Sequence, residues 1–242
     1  MPAPSELEGR IIAITGASDG IGRAVAHACA LHGATVVLIG RSQRKLEAVQ
    51  EQIESERPGA TTVAVLDLER ALAGDYDRLA KAVLERFGRL DGLLHNAAIL
   101  GTLTPIEHYD VPTWCRVLHV NLTSAFALTQ VLLPALKRSK DAAILYTSSG
   151  VGRRGKAYWG AYAVSKFGVE GLAQVLASEL SDITAIRVNS INPGAVRTRM
   201  RAQAYPAENP AKLRTPDSLT APYLALLGPV SRGISGRSFD AQ

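Results

Sequence analysis

Short, continuously apolar runs alternate along the chain with longer stretches in which apolar positions recur every three or four residues. The runs are RIIAIT (Arg10 to Thr15), ATVVLIG (Ala34 to Gly40), TTVAVLDL (Thr61 to Leu68), LDGLLHNAA (Leu90 to Ala98), AAILYTSS (Ala142 to Ser149) and ITAIRVNSINPG (Ile183 to Gly194). A last short run is GRSFDA (Gly236 to Ala241). Near-continuous apolarity without alternation is the pattern of strands covered on both faces. Between them, helical periodicity predicts helices over Ile21 to Leu31, Gln43 to Glu56, Tyr76 to Phe87, Val111 to Leu136, Ala161 to Leu180 and Pro216 to Leu227. Stop signals agree: His32-Gly33 and Pro58-Gly59 follow the first two helices, and Ser42 is placed to cap the second.

Strand and helix in alternation predict an α/β fold, a doubly wound, mostly parallel, seven-stranded Rossmann-type sheet with helices on both faces. With 242 residues and 47% apolar content, a single domain over 1–242 is expected. Within it a cofactor half covers about 8–110, and a catalytic and substrate half about 111–242. The stretch from Ala195 to Pro216, rich in Arg, Pro and Ala, reads as a long functional loop.

Composition narrows the functional class. Cys29 and Cys115 lie far apart in apolar helical patterns and read as reduced core residues. The first ten residues lack the basic start and apolar run of a signal peptide, and no uninterrupted apolar run is long enough to span a bilayer, so a cytoplasmic protein with no membrane contact is expected. A net charge of +5 is spread along the chain and aromatics make up only 5%, so no nucleic-acid partner is expected. A phosphorylated ligand fits the same charge. No metal-ligand set is assigned.

The turn TGASDGIG, from Thr15 to Gly22, joins the first strand to the first helix. Glycines there let backbone approach a pyrophosphate, whose charge suits a helix N-terminus. Asp19 in that turn either faces the phosphates unfavourably or serves the helix start by its charge. The second strand ends in Gly40-Arg41, where a carboxylate would bind an adenosine ribose and repel a 2′-phosphate. Arg41, with Arg44 and Lys45 one turn on, offers a planar fork and further charge to phosphate oxygens, which favours NADP(H) over NAD(H).

In AYAVSKFG, Tyr162 and Lys166 stand one helical turn apart, and Ser149 lies 13 positions before the tyrosine. A phenol with an ordinary pKa of about 10 makes a poor base at neutral pH, and a close lysine ammonium is expected to lower it. With these residues, the chain resembles the short-chain dehydrogenase/reductase family over essentially its whole length. TGASDGIG is similar to that family's cofactor turn, HNAA at His95 to Ala98 to its NNAG segment, and INPGAVRT from Ile191 to the segment bordering the nicotinamide. LLHNAAILG, SSGVGRRGKAYWGAYAVSKF and SFDAQ resemble its YciK-like branch.

The resemblance implies a hydride-transferring oxidoreductase acting on a carbonyl or secondary alcohol, with Asn121, Ser149, Tyr162 and Lys166 as catalytic group. Tyr162 passes the proton, Lys166 tunes it and holds the nicotinamide ribose, Ser149 polarises the carbonyl, and Asn121 links Lys166 to solvent through a water. Ser148 is the rival hydroxyl; the offset to Tyr162 favours Ser149. Cofactor contacts are expected at Gly16, Ser18, Asp19, Gly20, Ile21 and Gly22, at Arg41, Asp67 and Leu68, and at Asn96, Ala97 and Ala98. Tyr162, Lys166, Pro193, Gly194, Val196 and Thr198 complete them.

Residues Gly150 to Gly160, Leu100 to Thr104 and the segment after Gly194 are expected to bound the substrate, with Tyr158 and Trp159 as apolar wall. Arg153, Arg154, Arg197, Arg199 and Arg201 either select an anionic carbonyl compound or form a solvated basic rim. A long C-terminal cover over the substrate is not expected. A homodimer or homotetramer through the helices Val111 to Leu136 and Ala161 to Leu180 is implied; Ala125, Ala127, Ala173 and Ala177 permit it as small outer positions, and core packing explains them equally. The alternative function is a non-catalytic NADP(H)-binding regulator on the same fold.

Overall fold

The structure is a computed structural model that describes residues 6–242, so part of the segment read for a targeting signal lies outside the described residues. Seven strands form one parallel sheet: β1 (Ile11–Thr15), β2 (Thr35–Gly40), β3 (Thr61–Val65), β4 (Gly92–His95), β5 (Ala143–Thr147), β6 (Arg187–Asn192) and β7 (Ser238–Asp240). Their order is β3-β2-β1-β4-β5-β6-β7, so chain direction across the sheet reverses between β1 and β4. In such sheets the crevice at the strands' carboxyl ends opens at that point.

The helices are α1 (Gly20–Leu31), α2 (Gln43–Glu56), α3 (Ala73–Phe87), α4 (Val111–Leu118), α5 (Ser124–Leu136), α6 (Gly160–Leu180), α7 (Arg199–Ala204) and α8 (Thr220–Leu227). Successive strand residues feed opposite cores. Ile12, Ile14, Val36 and Leu38 pack with Val25 and Cys29 of α1, Leu46 of α2 and Tyr223 of α8. Ala13, Val37, Leu93 and Ile144 pack with Val83 of α3, Leu128 of α5 and Val169 of α6 on the other face.

Several elements differ from the sequence expectation. The helix expected over Val111 to Leu136 contains a π turn at His119–Thr123, which carries Asn121. This helical run is long and apolar enough to cross a membrane by length and composition alone; Val117, Leu128, Leu132 and Leu136 along it are buried within the protein. Ala195 to Pro216 holds α7, a short 3-10 turn at Pro210–Lys212 and a bridge between Val196 and Arg214. The local reason is a Thr198 cap that accepts from Arg201 N, and a two-bond pairing of Arg201 with Glu208. Cys115 is exposed, not core, because α4 turns its buried face through Val117 instead. Ala125, Ala173 and Ala177 are buried within this chain's own core, and Ala127 packs against it, so they are not outer positions. The exposed large apolar side chains of the same helical runs are Val111, Phe126, Val164, Phe167 and Val175.

A carboxylate beside the amino ends of the strands gathers three arginines. Asp141, just before β5, accepts from Arg187 of β6, from Arg10 Nη1 at 3.1 Å and from Arg232 Nε at 3.1 Å. Burial alone pushes the Asp141 carboxyl up, but the hydrogen bond and charge of Arg187, then Arg10 and Arg232, outweigh it and hold it below its ordinary value. Removing it strands a guanidinium, Arg187, that is 4% exposed. We predict that Asp141→Ala lowers unfolding free energy by about 3 to 5 kcal/mol, measured by urea denaturation at neutral pH. Because the folded carboxyl titrates below its ordinary 3.8, this contribution is complete above that pH and is lost as pH falls beneath it.

Candidate functional site

A cavity of about 910 Å³ opens at the carboxyl ends of the strands, within the size range of ligand sites. Its floor is the turn between β1 and α1. Gly16 and Gly20 have φ of +67° and +53°, in the left-handed region open to glycine. A Cβ on Gly22 would lie 2.3 Å from Gly16 O and 2.6 Å from Asn96 Nδ2, so the turn folds onto the β4 loop with no room for a side chain. Thr15 Oγ1 joins the two by accepting from Asn96 N at 3.0 Å and Ala97 N at 3.1 Å. Asp19 caps α1 by accepting from Gly20 N at 2.7 Å, so it serves the helix start while also lining the cavity.

Of the residues expected as the catalytic group and as cofactor contacts, all but Gly22 and Asn121 line this cavity. Gly22 lies against the turn backbone, as its contacts dictate. Asn121 is buried, with Oδ1 accepting from Ile99 N at 2.8 Å and Nδ2 donating to Ile99 O at 2.9 Å and Ser165 Oγ at 3.0 Å. Its amide therefore holds the loop after β4 to α6. Arg41 and Lys45 line the cavity where β2 ends, while Arg44 does not.

Ser149, Tyr162 and Lys166 meet at the other end. α6 places Tyr162 and Lys166 on one face, with Lys166 Nζ 5.5 Å from the Tyr162 ring centroid. That ammonium donates to Thr147 O at the end of β5, at 2.7 Å. Burial lowers Lys166 to about 8, opposed by the charge of Glu170. Burial raises Tyr162 to about 12, opposed by the Ser149 hydroxyl. In the protein alone, burial acts on the phenol in the direction opposite to the lowering expected from the lysine. A neutral phenol is the proton-donating form. The two serines separate as well: the Ser149 hydroxyl acts on Tyr162, that of Ser148 on Glu170.

Of the five arginines expected at the rim, only Arg199 and Arg201 line the cavity. Arg201 is paired with Glu208, and Arg153 turns away to Glu170 and Asp240. Trp159 lines the cavity and meets Tyr162 edge-on at 5.6 Å. Tyr158 stays 60% exposed outside it, held at φ +72° with its carbonyl accepting from Thr104 N. Sequence reasoning missed Thr113, Arg116, Val117 and Val120, which line the cavity from α4 and the π turn. Their helical spacing on one face was the available signal. Arg116 donates from Nη2 to Glu69 Oε2 at 2.8 Å and pairs with Glu69 Oε1 through Nε, closing the wall beside Asp67.

Residues 10–209 match the family model described as short chain dehydrogenase. An uncharacterized oxidoreductase of Escherichia coli, YciK, is 46% identical over 241 residues, covering 100% of this chain and 95% of that protein. A structure from Pseudomonas syringae described as a short chain dehydrogenase is 53% identical with a TM-score of 0.97, covering 100% of this chain and 98% of that one. An Escherichia coli structure complexed with NADPH is 47% identical with a TM-score of 0.96, and each chain is covered in full, 100% of both.

Gly152 tests how tightly the site is assembled. A Cβ there would lie 2.8 Å from Lys166 Cβ and 2.9 Å from the Lys166 backbone. Gly152→Ala is expected to cost about 1 to 3 kcal/mol of stability by urea denaturation; an unchanged midpoint would show that the turn after Ser149 can move freely from α6.

Proposed function

Because the chain belongs to the short-chain dehydrogenase family, we propose that it transfers a hydride between NADP(H) and a carbonyl or secondary alcohol of a small molecule. The observation that carries this reading is the meeting of Ser149, Tyr162 and Lys166 on the wall of the cavity whose floor is the Gly16 to Gly22 turn. A pure binder has no use for a buried phenol beside an ammonium and a hydroxyl. The same geometry supports dividing the chain into a cofactor half and a catalytic and substrate half.

The residues present fit the cofactor. Glycines without space for a Cβ and the capped start of α1 suit a pyrophosphate. Arg41 and Lys45 at the end of β2 suit a 2′-phosphate. The Escherichia coli structure at 47% identity was determined with NADPH, which supports the same choice. When bound, the nicotinamide supplies or accepts the hydride.

The chain's own residues handle the rest. In reduction, Tyr162 gives its phenolic proton to the oxygen of the substrate, and in oxidation it takes that proton back. Ser149 donates a hydrogen bond to the same oxygen where negative charge develops. Lys166 holds the nicotinamide ribose hydroxyls and stabilises the phenolate left after proton transfer. Asn121 fixes the backbone around α6 and the β4 loop. Selection of an anionic substrate rests on Arg199, the arginine at this end of the cavity with no carboxylate pairing of its own among the described residues. Family membership also supports a homo-oligomer, with Phe126 of α5 and Val164, Phe167 and Val175 of α6 as the exposed apolar positions.

Tyr162→Phe is expected to lower kcat about 100-fold or more while leaving NADPH binding nearly intact. A carbonyl panel followed by NADPH consumption reads this, and retained turnover removes the tyrosine from the reaction. Arg41→Ala is expected to weaken NADPH about 10- to 100-fold with little effect on NADH, measured by fluorescence titration. Equal losses for the two nucleotides would assign Arg41 no part in choosing between them.

A further inference from the structure

Glu170 stands two turns beyond Tyr162 on α6, on the face that carries Lys166. It is 6% exposed and does not line the cavity. Its carboxylate accepts from Ser190 Oγ of β6 at 2.5 Å, from Ser238 Oγ of β7 at 2.5 Å and from Arg153 Nε at 3.2 Å. Ser148 at the end of β5 approaches the same carboxylate without a well-formed hydrogen bond.

The network continues into the turn after Ser149, β7 and the segment after β6. Arg153 lies in the turn after Ser149, and it also donates to Asp240 Oδ1 at 2.9 Å and Phe239 O at 2.7 Å. Asp240 accepts from Asn192 Nδ2 at 2.8 Å, and Asn192 Oδ1 accepts from Gly194 N at 3.0 Å. Gln242 Nε2 donates to Pro193 O at 2.6 Å. A continuous set of polar contacts therefore runs from the Ser149 turn through α6 to the Pro193-Gly194 turn.

Charge counting gives Glu170 more than a packing role. Arg153 is shared between two carboxylates, the buried Glu170 and the exposed Asp240, and the Lys166 ammonium stands one turn before Glu170 on the same helix face. A buried carboxylate is costly unless matched in this way. We propose that Glu170 is a positioning residue whose negative charge keeps Lys166 protonated and whose hydrogen bonds hold the Ser149 turn and β7 against α6. This rests on the proposed roles of Ser149, Tyr162 and Lys166.

The opposing effects on Lys166 agree. Burial draws its proton off, and the charge of Glu170 works against that loss. The groups facing the pair are Arg153 and Asp240 with the Ser148, Ser190 and Ser238 hydroxyls around Glu170, and Tyr162 and the Thr147 carbonyl around Lys166. Tyr223 of α8 lies beyond them toward Thr147 and Tyr162. Arg153 is the cation in this set that opposes the lysine's charge.

Glu170→Gln keeps the shape and removes the charge. NADPH affinity by fluorescence titration, and kcat for a reduced carbonyl compound, are followed from neutral to alkaline pH. The alkaline limb of both profiles is expected to move down by about one pH unit, because Lys166 then loses its proton earlier. Arg153→Met leaves the carboxylate and removes the competing cation, so it is expected to move the limb up. An unmoved limb in Glu170→Gln, or a downward move in Arg153→Met, overturns the proposal; the second variant decides alone if the first does not fold. The binding profile needs no turnover. A chain that reduces no carbonyl thus sinks the functional reading while the binding limb still reports on Glu170.

Discussion

A buried ammonium sets the terms for the reacting end of this molecule. Lys166 is 3% exposed, and a charge in that position is tolerated only with close polar partners. Its bond to Thr147 O holds α6 against the end of β5, which is the same strand end that delivers Ser148 and Ser149. Once that contact is made, helical geometry leaves little freedom to Tyr162 one turn earlier or Glu170 one turn later. Gly152 completes the fit, because the turn after Ser149 must lie directly on the Lys166 backbone. Fold and chemistry therefore meet in one helix face packed on one strand end.

The nucleotide end depends on a different constraint, absence of side chains. Gly16 and Gly22 bring the β1–α1 turn into contact with Asn96 and Ala97, and Thr15 joins the two loops through its hydroxyl. This happens between β1 and β4, where the strand order reverses. A parallel sheet with opposite windings on its two sides parts its connecting loops there, which is why the cavity opens at that place.

Much of this was legible in the residues. Both-face burial of the strands gave near-continuous apolar runs, and the short turn chemistry of His32-Gly33 and Pro58-Gly59 marked helix ends correctly within a residue or two. Ser149, Tyr162 and Lys166 were legible because their spacing maps directly onto one helix and one strand end. The π turn at Asn121 was not, since one extra residue in a helical turn leaves the apolar period nearly unchanged. α7 was hidden by the prolines around it, and its stability comes from the Thr198 cap and the Arg201–Glu208 pair, which periodicity does not register. The alanines of α5 and α6 were open to two readings, because small residues fit a core and an interface equally well, and packing decides for the core. Charge behaviour was the least legible of all: proximity of Lys166 to Tyr162 was foreseen, but the size of the desolvation acting on each depends on burial that only the packed structure supplies.

Two carboxylate clusters at opposite ends of the sheet show how the same chemistry divides between stability and function. Asp141 at the amino ends faces three arginines and no cavity, so its charge is consumed within the cluster and serves to lock β1, β5 and β6 together. Glu170 at the carboxyl ends has one arginine, shared with Asp240, and hydroxyl donors that carry no charge. Hydroxyls satisfy its lone pairs without neutralising it, which leaves its negative charge available to Lys166. An arginine in place of either serine would satisfy the carboxylate more strongly and would set a second cation against the lysine. The serines at 190 and 238 are thus suited to a carboxylate that must be held in place and still act on its neighbour.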